Sequence, residues 1–143
     1  MVLDEDNRKS CADGFSYYQD ADGIIFYYVH DLKHDTVDCF VETVHRMDLL
    51  YYEANRHCRS LTDFSRLSYP TPYAMMRIQD MVRSTPAGLR ESVAILTPTS
   101  MINTFIRSVM KNLPVTKTGP MRLFTDREAA MTWLVERLKL LGP

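Results

Sequence analysis

The chain has little of what most catalytic signatures require. Only five of its 143 residues are glycine. No Gly-rich phosphate loop and no G-x-S-x-G nucleophile elbow is present, which removes the common nucleotide-cradling and hydrolase motifs. Three cysteines, Cys11, Cys39 and Cys58, are odd in number and lack C-x-x-C spacing, so they are expected to be free, mostly packed thiols in a reducing compartment. No run of 18 apolar residues occurs and no secretory leader is recognisable, so a cytoplasmic protein without a membrane span is expected. Charge of one sign is lacking too. The formal net charge of −1 argues against a nucleic-acid partner, which calls for an excess of cations.

What is present is ordinary in amount and uneven in distribution. Hydrophobic residues make up 45% and charged residues 24%, enough for one domain with a substantial core. Residues 1–55 hold 12 acidic and 4 basic side chains, whereas residues 56–122 hold 3 and 10. In a compact domain such halves interleave, giving internal complementarity; the alternative is a polar surface that steers a partner. Nine methionines suit a plastic core or an adaptable surface.

The hydrophobic periods alternate along the chain. Residues 1–14 are polar and read as a flexible terminus, leaving 15–143 as a single domain. Phe15–Gln19 and Ile24–Val29 read as strands joined by Asp20-Ala21-Asp22-Gly23, a hairpin with Gly where positive φ is needed. Asp35 or Thr36 then caps a helix with a stripe of Val37, Phe40, Val41, Val44 and Met47. Cys58–Phe64 reads as a strand. Thr71 and Pro72 are the cap and first residue of a helix carrying Ala74, Met75, Ile78, Met81 and Val82. Ser92–Leu96 is a buried strand, and Thr99 or Ser100 caps a helix with Ile102, Phe105, Ile106, Val109, Met110 and Leu113 on one face. Val115–Pro120 is read as a loop with the basic pair Lys111 and Lys117 near it. Met121–Phe124 is the last strand. Thr125 and Glu128 have capping-box spacing, and Ala130, Trp133, Leu134, Leu138 and Leu141 follow as the closing stripe. The order β-β-α-β-α-β-α-β-α implies an α/β fold with a five-stranded, mostly parallel sheet and an antiparallel N-terminal edge strand.

Three stretches carry a resemblance: Leu61-Thr62-Asp63-Phe64-Ser65, Val93-Ala94-Ile95-Leu96-Thr97-Pro98, and Arg122-Leu123-Phe124-Thr125-Asp126 followed by Ala129-Ala130-Met131-Thr132-Trp133-Leu134. In their order and spacing they resemble the SpoIIAA-like, or STAS-type, domains of bacteria, whose architecture is shared with Sec14-type lipid-binding domains. The resemblance implies a domain acting through protein contact or ligand sensing, without turnover. The phosphoacceptor pattern of the anti-sigma-factor antagonists is not kept: only Asp63 and Ser65 match the strand end, while Ser68 and Thr71 lie nearby without aligning.

Parallel strands bring their carboxyl ends to one edge, where helix N-termini offer free N–H groups. His30, Asp31, His34 and Asp35, then Ser65, Ser68 and Thr71, then Thr97, Thr99 and Ser100, then Thr125 and Asp126 are expected to gather there. His34, Ser65, Ser68, Thr71, Thr99 and Ser100 are candidates for binding a ligand or phosphate, although each such hydroxyl also serves as a helix cap. His30 and His34 lack a third partner, so no metal and no cofactor are expected. Both faces of the first hairpin are apolar, which makes Tyr17, Tyr18, Tyr27 and Tyr28 either core residues or an interface with a protein partner or second copy. Function therefore rests between a non-enzymatic interaction or regulatory domain, a homodimer being one form of it, and a module binding a small apolar or lipid-like ligand.

Overall fold

The computed structural model describes residues 8–97 and 100–143. Among the described residues six strands form one mixed sheet in the order β1-β2-β3-β4-β5-β6, and five helices accompany it. The strands are β1 (Lys9–Ala12), β2 (Phe15–Gln19), β3 (Ile25–Val29), β4 (Cys58–Asp63), β5 (Glu91–Leu96) and β6 (Met121–Phe124). The helices are α1 (His34–Glu53), α2 (Pro72–Arg83), α3 (Ser100–Lys111), α4 (Val115–Thr118) and α5 (Arg127–Leu141). Strands β1 to β3 pair antiparallel, and β3 to β6 pair parallel.

The hairpin follows its turn chemistry. Gly23 takes a φ of 85°, and the Asp20 carboxylate accepts from the N–H groups of Asp22 and Ile24 at 3.0 and 2.9 Å. Pairing then places Tyr17 opposite Tyr27, and Tyr18 opposite Phe26. Sequential strand order with right-handed crossovers puts α1, α2 and α3 on one face of the sheet. Their buried stripes, Val37 and Phe40, Ala74 and Ile78, Ile102 and Phe105, share one core with Phe15, Ile25, Tyr27 and Ile95. The opposite face is covered by α5. Ala130 and Leu134, one turn apart and fully buried, pack on Phe26, Leu61 and Ala94.

Four expectations are corrected. Part of the stretch read as a flexible terminus is β1, so the sheet has six strands and the antiparallel edge strand is β1 rather than β2. Cys11 and Cys39 are joined as a disulfide with their Cα atoms 5.9 Å apart, which ties β1 to α1; Cys58 alone is free, and it is buried. Val115–Thr118 is a helical turn instead of loop. Helix caps also shift. Asp126, not Thr125, caps α5, its carboxylate accepting from the Ala129 N–H at 3.1 Å. A carboxylate at this position also meets the positive end of the helix dipole, which a threonine hydroxyl does not. Helix α1 begins at His34 with Lys33 as its N-cap residue, two or three residues earlier than Asp35 or Thr36 as cap would have set, and no side chain caps it. Thr71 and Pro72 do start α2 as read, with the Thr71 hydroxyl accepting from the Ala74 N–H at 3.2 Å.

Candidate functional site

The carboxyl ends of β3 and β4 feed loops 30–33 and 64–71, and a cleft of about 360 Å³ opens between them. Its walls include His30, Asp31, Lys33, Arg66, Ser68 and Thr71, with Leu32, Leu67 and Tyr69 supplying apolar surface. The volume lies at the low end of the range for small-molecule pockets.

The β3–α1 wall is braced from the N-terminal hairpin. The His30 N–H donates to the Gly14 carbonyl at 2.8 Å. A Cβ on Gly14 would overlap the Asp31 carboxylate and the Thr36 hydroxyl, so glycine is needed here for close approach. Burial pushes the Asp31 carboxyl upward, but the Thr36 hydroxyl and the Lys33 N–H, the latter at 3.0 Å, outweigh it and hold the group below its ordinary value. Asp31 is thus an ionised, structurally engaged carboxylate.

Lys33 and Arg66 are exposed and no ion pair or hydrogen bond holds either charged head among the described residues. With Asp31 they leave the cleft a net charge of +1. Lys33 is also the N-cap residue of the 20-residue α1 and gives it no side-chain cap. The Thr36 N–H is met by the Asp35 carboxylate at 2.9 Å and that of Val37 by the Lys33 carbonyl at 2.9 Å. The amides of His34 and Asp35 retain no partner among the described residues. Two mobile-stemmed cations and a free helix start are the chemistry of an anion site.

The other sequence candidates separate. His34 leaves the cleft and stacks on Tyr73 at 3.9 Å between ring centres, while the Tyr73 hydroxyl and Arg77 hold Asp38. This clamp joins α1 to α2. The Ser65 N–H closes a turn onto the Asp63 carboxylate at 2.8 Å, and Ser65 does not line the cleft. Ser68 and Thr71 line it, Thr71 with its hydroxyl committed to the cap. Thr99 and the Ser100 side chain lie outside the described residues; Thr97 accepts from Asn103 at 3.0 Å. Asp126 is the α5 cap. Among the described residues no group of three or more His, Cys, Asp or Glu side chains could hold a metal, and no helix is long and apolar enough to cross a membrane.

The four tyrosines do not form a free surface. Tyr27 is 2% exposed beneath α1 and Tyr18 is 8% exposed on the α5 face. Tyr17 accepts from Arg46 at 2.8 Å and Tyr28 from Arg127 at 3.0 Å. Tyr18, Phe26 and Tyr28 stack, with Arg127 5.1 Å over Phe26. Burial and the Tyr28 hydroxyl push the Tyr18 phenol up to about 12. The core reading of Tyr18 and Tyr27 replaces the interface reading.

Two polar clusters were not singled out from the sequence. At the amino end of β4 and β5, Asp48 of α1 meets Cys58 and Glu91, which are cross-strand partners. Burial and the nearby Glu91 push Asp48 up to about 8, and burial pushes Glu91 up to about 7. The Tyr27 hydroxyl close by is buried without a partner. The signal was readable, because Asp48 falls on the same helical stripe as Val37, Val41, Val44 and Tyr51. The second cluster holds the chain end. The His57 ring contacts the Gly142 carbonyl through Nδ1 at 2.8 Å and Ser92 Oγ through Nε2 at 2.9 Å, while Arg137 donates to the same Ser92 oxygen. Arg90 donates to the carbonyls of Leu141 and Asn55, each at 2.7 Å. Burial lowers the His57 pKa, which keeps the ring neutral and bridging. Nothing in the sequence spacing marked it.

Compared with known protein families and with curated proteins, the sequence finds no match.

Proposed function

We propose that this protein is a non-catalytic, cytoplasmic regulatory module of the STAS type that binds a small anion at the carboxyl edge of its sheet. The observation that carries this reading is the pair Lys33 and Arg66, without an ion pair among the described residues, lining a cleft beside the uncapped start of α1. The apolar rim of Leu32, Leu67 and Tyr69 suits a carboxylate or phosphate ester with a short hydrophobic body.

The test is thermal unfolding in the presence of inorganic phosphate, phosphoserine and citrate at constant ionic strength. A ligand at 100 times its Kd adds about 2.7 kcal/mol of stability, which shifts the midpoint by several degrees. The shift is expected in the parent chain and lost in Lys33→Glu/Arg66→Glu, both surface changes. Equal shifts in parent and variant, or none with any of the three anions, would refute the reading.

A further inference from the structure

The two edges of the sheet are built differently. The β1 edge is blunted: it is four residues long, carries exposed Lys9, shifts register between Lys9 and Ala12, and is tied to α1 by the disulfide. The β6 edge is equally short and carries exposed Arg122, but its pairing with β5 runs without a register shift and no disulfide ties it down. Pairing with β5 uses one side of β6, with the Pro120 and Phe124 carbonyls accepting from Val93 and Thr97 at 2.9 Å each. By strand alternation the N–H and C=O groups of Met121 and Leu123 point the other way, and among the described residues they have no partner. Beside that free ladder runs a groove of about 460 Å³ between β6 and α3, lined by Arg107, Met110, Met121, Arg122 and Leu123. Met121 and Leu123 face α3 with Met110 and Arg107, while the Arg122 side chain lies with Phe124 on the opposite face of the strand. Arg107 keeps its charge while bonding Asn103 at 2.6 Å, and Arg122 folds back over Phe124 at 5.4 Å instead of crossing the edge. Residues 100–122 contain four basic and no acidic side chains.

We infer that the β6 edge is a docking site for an extended, acidic segment of a partner protein, which adds to the sheet as a seventh strand. Backbone pairing with Met121 and Leu123 supplies affinity. On the α3 face the added strand's side chains meet Met110, Met121 and Arg107, and on the opposite face an acidic side chain meets Arg122. Two basic sides make a second copy of the same edge a poor occupant, since its arginines would face these. A free backbone ladder favours a peptide over a nucleic acid. The site is separate from the cleft and does not depend on it.

The test begins with selection of random dodecapeptides displayed on phage against the immobilised full chain, followed by anisotropy with the labelled selected peptide. Selected sequences are expected to be enriched in acidic residues beside apolar ones. Arg107→Glu and Arg122→Glu, both exposed, should each weaken binding at least tenfold, while Lys33→Glu/Arg66→Glu binds as the parent does. Amide exchange at Met121 and Leu123 should slow at least tenfold in the complex. Trp133, the sole tryptophan, lies 5.6 Å from Phe124 of β6 and should change its emission. The inference is overturned by failure to enrich acidic sequences, by binding indifferent to both charge reversals, by unchanged exchange at Met121 and Leu123, or by a chain dimer that occupies this edge.

Discussion

Asp48 offers the sharpest energetic test, because a carboxyl group occupies a position in the core stripe of α1. It is 5% exposed, and burial together with Glu91 moves its pKa from the ordinary 3.8 to about 8. A raised folded-state pKa means that the folded chain holds a proton which the unfolded chain has released. Stability from this group is therefore complete below about pH 4 and is lost progressively as pH rises to about 8. Each unit of separation is worth about 1.4 kcal/mol, so at pH 7 the loss reaches about 4 kcal/mol at most. Relaxation around the site and sharing of charge with Glu91 bring the working figure to about 2 kcal/mol. Asp48→Asn keeps the shape and removes the titration. Urea unfolding from pH 4.5 to 8.5 should show the variant more stable than the parent at pH 7 by about 2 kcal/mol, with the gap closing toward pH 4.5. Glu91→Gln should act with the same sign, and it should reduce the benefit of Asp48→Asn in the double variant, because Glu91 is part of what raises Asp48. A gap independent of pH, or fully additive variants, would refute this account of the cluster.

The remaining expectations concern the frame around the cleft and the chain end. Gly14→Ala should destabilise the fold by about 1–3 kcal/mol in the same unfolding assay, since the new methyl meets the Asp31 carboxylate and Thr36 hydroxyl; an unchanged midpoint would contradict the close approach. His57 has the opposite pH sign to Asp48: its pKa is depressed, so its contribution is present above about pH 6.5 and is lost as pH falls below that. His57→Ala should cost about 1–3 kcal/mol at pH 8, with the difference shrinking toward pH 5. Cys11 and Cys39 close a loop with a sequence separation of 28, and opening it with Cys11→Ser/Cys39→Ser should cost about 3 kcal/mol relative to the oxidised chain. Because such bonds are uncommon in a reducing cytosol, acid-quenching cells and labelling the denatured protein with maleimide also bears on the cytoplasmic placement: labelling of Cys11 and Cys39 supports it, and labelling of Cys58 alone speaks against it.

Most of the sheet was legible because each strand is bounded by its own punctuation. Gly23 marks the hairpin, Thr71-Pro72 the start of α2, and the apolar run Val93–Leu96 the central strand. Strand β1 was not, since Lys9-Ser10-Cys11-Ala12 has no alternation and is held by its pairing with β2 and by a bond to a cysteine 28 positions away. The α5 cap went to Asp126 over Thr125 because two adjacent residues both satisfy cap chemistry, and only backbone geometry chooses between them. At the candidate site, His30, Asp31, Ser68 and Thr71 were placed on one edge by topology alone. Lys33 and Arg66 escaped notice because a surface cation in a loop carries no pattern; their meaning comes from lining one cleft without an ion pair among the described residues. Tyr27 and Tyr18 illustrate the reverse case: both faces of the hairpin read as apolar, but the sequence could not say that α1 and α5 cover them.

The claim that the cleft holds a small anion is tested most directly by titrating inorganic phosphate into isotopically labelled protein at fixed ionic strength and following the backbone amides by NMR. The amides of Lys33, His34 and Asp35, with those of residues 66–71 that carry an N–H, should shift together and saturably, and the response should vanish in Lys33→Glu/Arg66→Glu. Shifts that are scattered over the surface, fail to saturate, or persist unchanged in that variant would contradict the account.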